Sequence, residues 1–343
     1  MKKTAIVGQY GTGPDYVTGQ AVKTYFTARW MMKRFGPENV EIVNTFGWKK
    51  RPLRLAVSLL RAMKRCQSVI MLPAQHGVKV FAPLIAGLNR LYHRRIYYIV
   101  IGGWLAEALK ENPRLLRSVA AFDGVCAETE SLAEDLRRVG VKNAWYLPNC
   151  RDYVEAPEKP ADPKPPLRVC TYSRVTESKG IADAAEICKK ANALLGFQAF
   201  ALEVYGKTAP EYEEAFQALC QREKETMRYC GVKNADEAVE TLRSQFALLF
   251  PTYYEGECFA GTVLDAFASR TPIIANDWKY NAEVIRDGEN GFLYPFRDTD
   301  AAAQKLAALY RDQALYKRIQ EGCAQSAREY DSDRVLEVLA EKL

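Results

Sequence analysis

Apolar residues in this chain follow two patterns that alternate along its whole length. Short runs in which nearly every residue is apolar are typical of buried strands, whereas apolar residues three and four positions apart are typical of helices. Nine short runs with apolar or β-branched residues predict strands, at residues 4–7, 41–44, 68–72, 97–101 and 124–127, and again at 168–173, 199–204, 246–250 and 272–275. Strands that alternate with helices in this way predict parallel sheets covered by helices.

A proline-rich stretch separates the two sets of strands. Residues 156–166 contain five prolines, and proline is excluded from helix interiors and central strands because it lacks a backbone N–H. The 343 residues suit two domains better than one. We therefore predict an α/β protein with two Rossmann-like, doubly wound parallel-sheet domains that face a cleft. The first covers residues 1–155, the second covers 167–318, and a closing segment follows at 319–343.

Charge is divided unevenly between the two predicted domains. Residues 1–150 carry a net charge of +13, whereas the remainder carries −7. Many of the first domain's cations lie within residues 49–65, where they alternate with leucines and other apolar residues. Such a basic amphipathic helix is typical either of binding to the anionic inner leaflet of a membrane or of an ordinary half-buried helix with a solvated cationic face. Nothing resembles a nucleic-acid-binding module, so no nucleic acid partner is expected.

The nine cysteines are scattered singly, and no Cys-x-x-Cys pair occurs. Most lie in apolar segments, which favours reduced thiols in the cytoplasm over disulfides or a zinc site. No signal peptide and no membrane-spanning stretch is predicted. The expected location is therefore cytoplasmic, with peripheral attachment to the cytoplasmic face of a membrane as one option.

Two acidic residues, Glu257 and Asp265, lie eight positions apart where an apolar strand gives way to a helix. Ligands of open α/β sheets bind at this edge of the sheet, and the N-terminus of the helix would favour a phosphate. The alternative is that Glu257 is a solvated loop acid and Asp265 a surface helix acid.

The stretch from 253 to 291 resembles the donor-site signature of retaining GT-B glycosyltransferases of family 4, the glycosyl transferases group 1. The resemblance implies that Glu257 faces the transferred sugar and that Asp265 faces the ribose hydroxyls, although the family usually has Glu at 265 and Gly at 260. It also implies that the first domain is the acceptor side, that the second binds a nucleotide sugar, and that the closing helix crosses back to the first. Further donor-binding residues implied by the resemblance are Gly19, Tyr205, Gly206, Phe259, Ala260, Gly261 and Thr262.

Two cations follow the first strand of the second domain, at Arg174 and Lys179. In the family that this chain resembles, an Arg and a Lys in this loop hold the diphosphate. We predict that both neutralise the charge that develops on the leaving nucleotide. Lys179 as an ordinary lysine at a helix start is the alternative.

Histidine is scarce, with only His76 and His93 in the chain. Many family members have a histidine after the fourth strand, where this chain reads Gly103 and Trp104 instead. His76 follows the third predicted strand. We predict that His76, Gly103 and Trp104 lie on the acceptor side. His76 as a structural residue remains an alternative.

Two acid pairs, at 298–300 and 331–333, mimic a metal-binding motif, but each precedes a helical run and is expected to cap it. We predict no essential metal and no cofactor. The resemblance implies a retaining hexosyltransferase that moves a sugar from a nucleoside diphosphate sugar, with uridine as the expected base, to a growing or lipid-linked glycan of capsule, exopolysaccharide or lipopolysaccharide. The alternatives are a non-catalytic companion subunit of a transferase complex and an NAD-dependent dehydrogenase. The glycine spacing after the first strand argues against the dehydrogenase.

Overall fold

The computed structural model describes residues 3–11, 18–154 and 164–343. The chain forms two compact units. The first unit comprises Met1–Asp152, Cys258–Gly261 and Asp331–Leu343, and the second comprises Tyr153–Glu257 and Thr262–Tyr330. Most of the predicted linker, residues 156–163, lies outside the described residues.

The first unit contains a six-stranded parallel sheet in the order β2-β1-β3-β4-β5-β6. Ile6 on the second strand of this order lies between Ile42 and Ile70 on its neighbours, which places apolar side chains in register across three strands. The strands are β1 (Thr4–Gly8), β2 (Val40–Asn44), β3 (Ser68–Met71), β4 (Arg95–Ile99), β5 (Gly124–Ala127) and β6 (Ala144–Tyr146). The helices are α1 (Gly19–Phe35), α2 (Pro52–Arg65), α3 (Gln75–Tyr92), α4 (Leu105–Glu111), α5 (Pro113–Ala120) and α6 (Glu130–Arg138).

The second unit contains another six-stranded parallel sheet, in the order β12-β11-β10-β7-β8-β9. Its strands are β7 (Leu167–Tyr172), β8 (Phe200–Tyr205), β9 (Met227–Tyr229), β10 (Ala247–Phe250), β11 (Ile273–Asn276) and β12 (Phe292–Tyr294). Its helices are α7 (Ile181–Leu195), α8 (Glu213–Arg222), α9 (Ala238–Arg243), α10 (Gly261–Ala268), α11 (Asn281–Val284), α12 (Thr299–Arg311) and α13 (Gln313–Glu329). The α/β class with two Rossmann-like units is confirmed.

The last helix, α14 (Ser332–Ala340), packs into the core of the first unit. Leu336 and Leu339 are buried in the same apolar cluster as Ile6 of β1. The indole of Trp30, a buried residue of α1, donates a hydrogen bond to Asp333 at 2.6 Å. Within the predicted closing segment, residues up to Tyr330 lie in the second unit and Asp331–Leu343 lie in the first.

Both acid pairs that mimic a metal motif contain helix caps. The Asp298 carboxylate accepts the Ala301 N–H at the start of α12, and the Asp331 carboxylate accepts the Asp333 N–H at the start of α14. The capping interpretation is confirmed for these two aspartates. Within the described ranges, no helix combines the length and apolar character that crossing a membrane requires.

Candidate functional site

Three adjacent strands of the second unit carry the candidate donor residues. Strands β10, β7 and β8 are neighbours and parallel, so the loops after them emerge at one edge of the sheet. The loop after β7 holds Arg174 and Lys179, the loop after β10 leads to Glu257, and β8 ends at Tyr205. We call this edge, with its three loops, the donor edge.

Lys179 and Glu257 form a buried ion pair at the donor edge. The ammonium of Lys179 donates to Glu257 Oε2, and each side chain is only 10% exposed. The Thr252 hydroxyl donates to the same carboxylate oxygen at 2.9 Å. Glu257 is therefore held by two donors and is not a solvated loop acid.

A tyrosine ring lies beneath both cations of the β7 loop. The Arg174 guanidinium lies 5.6 Å from the centre of the Tyr254 ring, and the Lys179 ammonium lies 5.1 Å from it. Arg174 is exposed and forms no ion pair with any described residue. A face of the aromatic ring can hold cations without neutralising them. The arrangement therefore leaves the positive charge of Arg174 available to an anion.

Two glycines permit the close approach of these loops. A Cβ on Gly206 would lie 1.6 Å from the Ser173 carbonyl oxygen, and a Cβ on Gly180 would lie 2.4 Å from the Pro251 carbonyl oxygen. Both glycines have positive φ, 138° and 69°, a region that side chains disfavour. Gly206 thus allows the end of β8 to lie close to Ser173, the residue before Arg174 in the loop after β7.

Asp265 lies on α10 and is 8% exposed, so it is not a surface helix acid. Burial, followed by the charge of Asp265, raises the pKa of the Tyr172 hydroxyl at the end of β7. Among the described residues, the buried hydroxyls of Tyr172 and Thr262 have no hydrogen-bond partner. Buried polar groups without partners are uncommon and often mark ligand sites.

Four of the predicted donor residues fall in two different places. Thr262 lies in the second unit, whereas Phe259, Ala260 and Gly261 belong to the first. There the Asn149 amide donates to the Phe259 carbonyl at 3.0 Å. A Cβ on Gly261 would lie 2.2 Å from the Arg151 guanidinium, so glycine at 261 permits this packing in the first unit.

The acceptor-side candidates lie at the carboxyl edge of the first sheet. His76 is exposed in the first turn of α3, directly after β3. Gly103 is buried after β4, and the Trp104 indole donates to the Ile101 carbonyl at 2.7 Å. Gly19, which was predicted to bind the donor, begins α1 after β1 at the same edge, and a Cβ there would contact nothing within 4 Å. The structure therefore brings these residues to one edge but shows no steric need for glycine at 19.

A second buried ion pair supports that edge. The Lys23 ammonium donates to the Glu128 carboxylate at 2.5 Å, and the side chains are 8% and 4% exposed. The other oxygen of Glu128 accepts the Gly102 N–H at 3.1 Å. The pair therefore joins α1 and the end of β5 to the loop that carries Gly103 and Trp104.

The sequence alone did not single out Lys23, Glu128, Thr252, Tyr254 or Tyr172. Lys23 and Glu128 are 105 residues apart, and no spacing rule relates them. The run of Tyr253 and Tyr254 beside Glu257 was the one available signal, since aromatic residues often line ligand sites. In the described part of the chain, no three His, Cys, Asp or Glu side chains are grouped so that they could hold a metal.

The two sheets have the architecture of known structures. HepE from Anabaena, solved in complex with UDP and glucose, matches with a TM-score of 0.73 at 14% identity, over 100% of this chain and 99% of that one. Sucrose-phosphate synthase from Thermosynechococcus elongatus matches with a TM-score of 0.75 at 12% identity, over 99% and 98%. These likenesses define the class as a two-domain α/β protein of the GT-B type.

The family follows from a sequence model. The model described as glycosyl transferases group 1 matches residues 153–326, just over half of the chain. The chain therefore belongs to the glycosyl transferases group 1 family. A curated relative, the phosphatidyl-myo-inositol mannosyltransferase of Mycobacterium leprae, is 34% identical over 107 residues, which cover 31% of this chain and 28% of that relative. This chain thus matches less than a third of that relative's length.

Proposed function

We propose that this protein is a retaining glycosyltransferase that moves a sugar from a nucleoside diphosphate sugar, with uridine as the base, to a growing glycan. The observation that carries the proposal is the convergence of Arg174, Lys179 and Glu257 at one sheet edge in the second unit. Family membership and the UDP bound to HepE support the donor class.

The cations provide the chemistry that glycosyl transfer most requires. When the bond between the anomeric carbon and the phosphate oxygen breaks, negative charge develops on the leaving diphosphate. Arg174 and Lys179 stabilise that charge, which is a large contribution to catalysis in a partly dehydrated site. One of the three N–H donors of Lys179 is taken by Glu257, and two remain for phosphate oxygens.

The remaining donor-edge residues orient the donor. Glu257 faces the sugar, where a carboxylate accepts hydrogen bonds from hydroxyls. Asp265 takes the ribose hydroxyls after a small shift of α10, because its side chain is shorter than the usual Glu. In the retaining step, the departing phosphate oxygen accepts the proton of the acceptor hydroxyl, and the new bond forms on the same face of the sugar. This step uses no protein base and no metal.

The acceptor is proposed to be lipid-linked, as in capsule, exopolysaccharide or lipopolysaccharide assembly. Helix α2 buries one face through Leu55 and Leu59, yet Leu53 and Val57 on its outer face are 81% and 56% exposed. Exposed apolar residues among cations suit attachment to an anionic leaflet. The phospholipid in the name of the phosphatidyl-myo-inositol mannosyltransferase relative supports this choice. Full transfer to a short soluble sugar, unaffected by anionic lipid, would contradict it.

Calorimetric titration tests the donor site directly. The protein is titrated with UDP, GDP and NAD in the presence of EDTA, and the best ligand is repeated on Lys179→Ala. Lys190→Ala is the matched control, because Lys190 pairs with Asp300 on the surface of the same unit. We expect UDP to bind without metal and to bind at least about tenfold more weakly to Lys179→Ala only.

Other results would favour other functions. Binding of NAD but not of UDP would favour the dehydrogenase. No nucleotide binding at all would favour a companion subunit that uses the same fold without catalysis.

A further inference from the structure

A groove of about 660 Å³ lies between α3 and α5 of the first unit. Its lining includes the small residues Ala86 and Gly87 of α3 and Ala121 just after α5. This volume is in the range of small-molecule sites. It exceeds what a bare phosphate ion needs and leaves room for an organic group attached to one.

Four basic side chains line the groove, and none of its lining residues is acidic. Arg90 and His93 come from the end of α3, whereas Arg114 and Arg117 come from α5. All four side chains are exposed, and none forms an ion pair with another residue in the described part of the chain. Ordinary surface cations in this protein often have partners, as Arg138 has in Glu134 and Asp135.

The helix dipole explains two of the three arginines, because Arg90 and Arg117 each lie in the last turn of their helix. Arg90 lies in the last turn of α3, where the negative end of the helix favours a cation. Arg114 lies in the first turn of α5, where the positive end of the helix disfavours one. The helix therefore does not stabilise the charge of Arg114 beside Arg117. An anion bound by both Arg114 and Arg90 would stabilise it.

Gly87 keeps the groove open. It lies inside α3, where glycine costs about 1 kcal/mol relative to alanine. Nothing lies within 4 Å of the position of a Cβ on this residue, so packing does not require glycine there. A larger side chain at this position would project into the space beside Arg90.

The groove is remote from the edge where the acceptor-side candidates lie. The end of α3 is joined to the start of β4 by hydrogen bonds of the Asn89 side chain to the Arg94 backbone. The end of α5 is joined there as well, because Asp123 and Ile96 exchange two hydrogen bonds. The His93 and Ala121 end of the groove is thus at the amino edge of the sheet, opposite His76 and Trp104.

We infer that this groove binds a phosphate ester. Arginine side chains pair with phosphate oxygens through two parallel N–H donors, and three arginines here converge with no competing carboxylate. The ester has two possible sources, a soluble compound or the headgroup of an anionic phospholipid. Leu84 and Leu91, 41% and 74% exposed on α3, make the headgroup a source that the test must include. The inference does not depend on the proposed sugar transfer.

Two probes distinguish the sources. Glycerol 3-phosphate is titrated by calorimetry, and phosphatidylcholine vesicles with and without phosphatidylglycerol are tested by sedimentation. Both are applied to the wild type, to the triple variant Arg90→Gln/Arg114→Gln/Arg117→Gln, and to Gly87→Glu, which places a carboxylate in the groove. The control Lys224→Gln/Lys317→Gln/Arg318→Gln removes the same charge from exposed positions of the second unit. Thermal unfolding verifies that each variant is folded.

We expect both groove variants to bind at least one probe about tenfold more weakly, with the control unchanged. Loss with vesicles alone would assign the site to a lipid headgroup, and loss with glycerol 3-phosphate would assign it to a soluble ester. Equal binding of both probes by the groove variants and the control would overturn the inference. Failure of the protein to bind UDP would overturn the proposed function but would leave this measurement intact.

Discussion

The ammonium of Lys179 donates a hydrogen bond to the carboxylate of Glu257, which lies 78 residues later in the chain. Both side chains are 90% buried. A buried ion pair is a poor source of stability compared with apolar packing, and removing one partner leaves an uncompensated charge. The presence of this buried pair at the ends of two adjacent strands is therefore better explained by a role in binding or catalysis than by a contribution to stability.

We predict that the double variant of this pair separates stability from activity. Lys179→Met and Glu257→Gln should each lower the free energy of unfolding by about 3 kcal/mol, because each leaves one buried charge alone. The double variant should regain most of that loss. All three variants should lose about two or more orders of magnitude in transfer rate, because Lys179→Met removes a cation that stabilises the leaving diphosphate and Glu257→Gln removes the charge that holds Lys179 in place. Urea unfolding and sugar transfer from UDP-sugars measure the two effects.

The partly exposed pair Lys305 and Asp287 of the same unit provides the control. Lys305→Met should change stability by at most about 1 kcal/mol and should leave transfer intact. A Lys179→Met/Glu257→Gln protein that transferred sugar at the wild-type rate would show that the pair is structural.

Gly206→Ala should disrupt the donor edge. The new methyl group would collide with the Ser173 carbonyl, so the loop that carries Arg174 must move. We expect weaker UDP binding and a loss of about 2 kcal/mol or more in stability, which includes the strain of a positive φ. Gly196→Ala also has positive φ but meets nothing within 4 Å, and it should cost only about 1 kcal/mol. Equal effects of the two variants on UDP affinity would contradict the steric explanation.

Glu128→Gln should loosen the loop after β4. The amide would present a donor either to Lys23 or to the Gly102 N–H, both of which are donors themselves. We expect a loss of about 3 kcal/mol in stability and faster hydrogen exchange of the Gly102 amide, with UDP affinity unchanged. Glu107→Gln, in the exposed pair with Lys110, is the control and should change neither quantity. Unchanged exchange at Gly102 in Glu128→Gln would refute this role.

Glu203 should make the second unit sensitive to acid. Burial alone would raise the pKa of this carboxyl, but hydrogen bonds from Tyr205, Gln245 and Arg228 outweigh burial and lower the pKa below its ordinary value. A lowered pKa in the folded protein means that the carboxylate stabilises the fold above the unfolded pKa. That contribution is lost as pH falls below the unfolded pKa and through the lower folded pKa.

The Glu203→Gln variant isolates this contribution. It should be less stable at neutral pH and should show a shallower loss of unfolding free energy over the same acidic range. Urea unfolding at a series of pH values measures both slopes. Parallel slopes for the variant and the wild type would assign the acid sensitivity to other groups.

The amino-acid sequence alone determined the sheet interiors of both units. All nine predicted strands occur, because most of them are buried between helices and are therefore rich in apolar residues. One of them, predicted at 97–101, is shifted to Arg95–Ile99. The three strands that were missed, β6, β9 and β12, are short edge strands. Two of them, β6 and β9, are exposed or half-exposed at two of their three residues, so their apolar signal is weak.

The sequence also indicated where the charged candidate residues lie relative to strands and helices. Strand ends and helix starts follow from the chain itself, so Arg174, Lys179, Glu257 and Asp265 could be assigned to the ends of particular elements. The sequence could not exclude that these residues are ordinary solvated charges, because a lone charged residue in a loop is usually solvated. Burial of Glu257 and Asp265 became known only from the folded chain.

Only the tertiary structure decided which charges meet. Lys23 finds Glu128 across 105 residues and Lys179 finds Glu257 across 78, through the order of strands in each sheet rather than any sequence spacing. The packing of Cys258–Gly261 with the first unit, and the groove between α3 and α5, likewise depend on how elements pack. Local patterns determine secondary structure because they act over one or two turns, whereas side-chain contacts depend on the placement of whole elements.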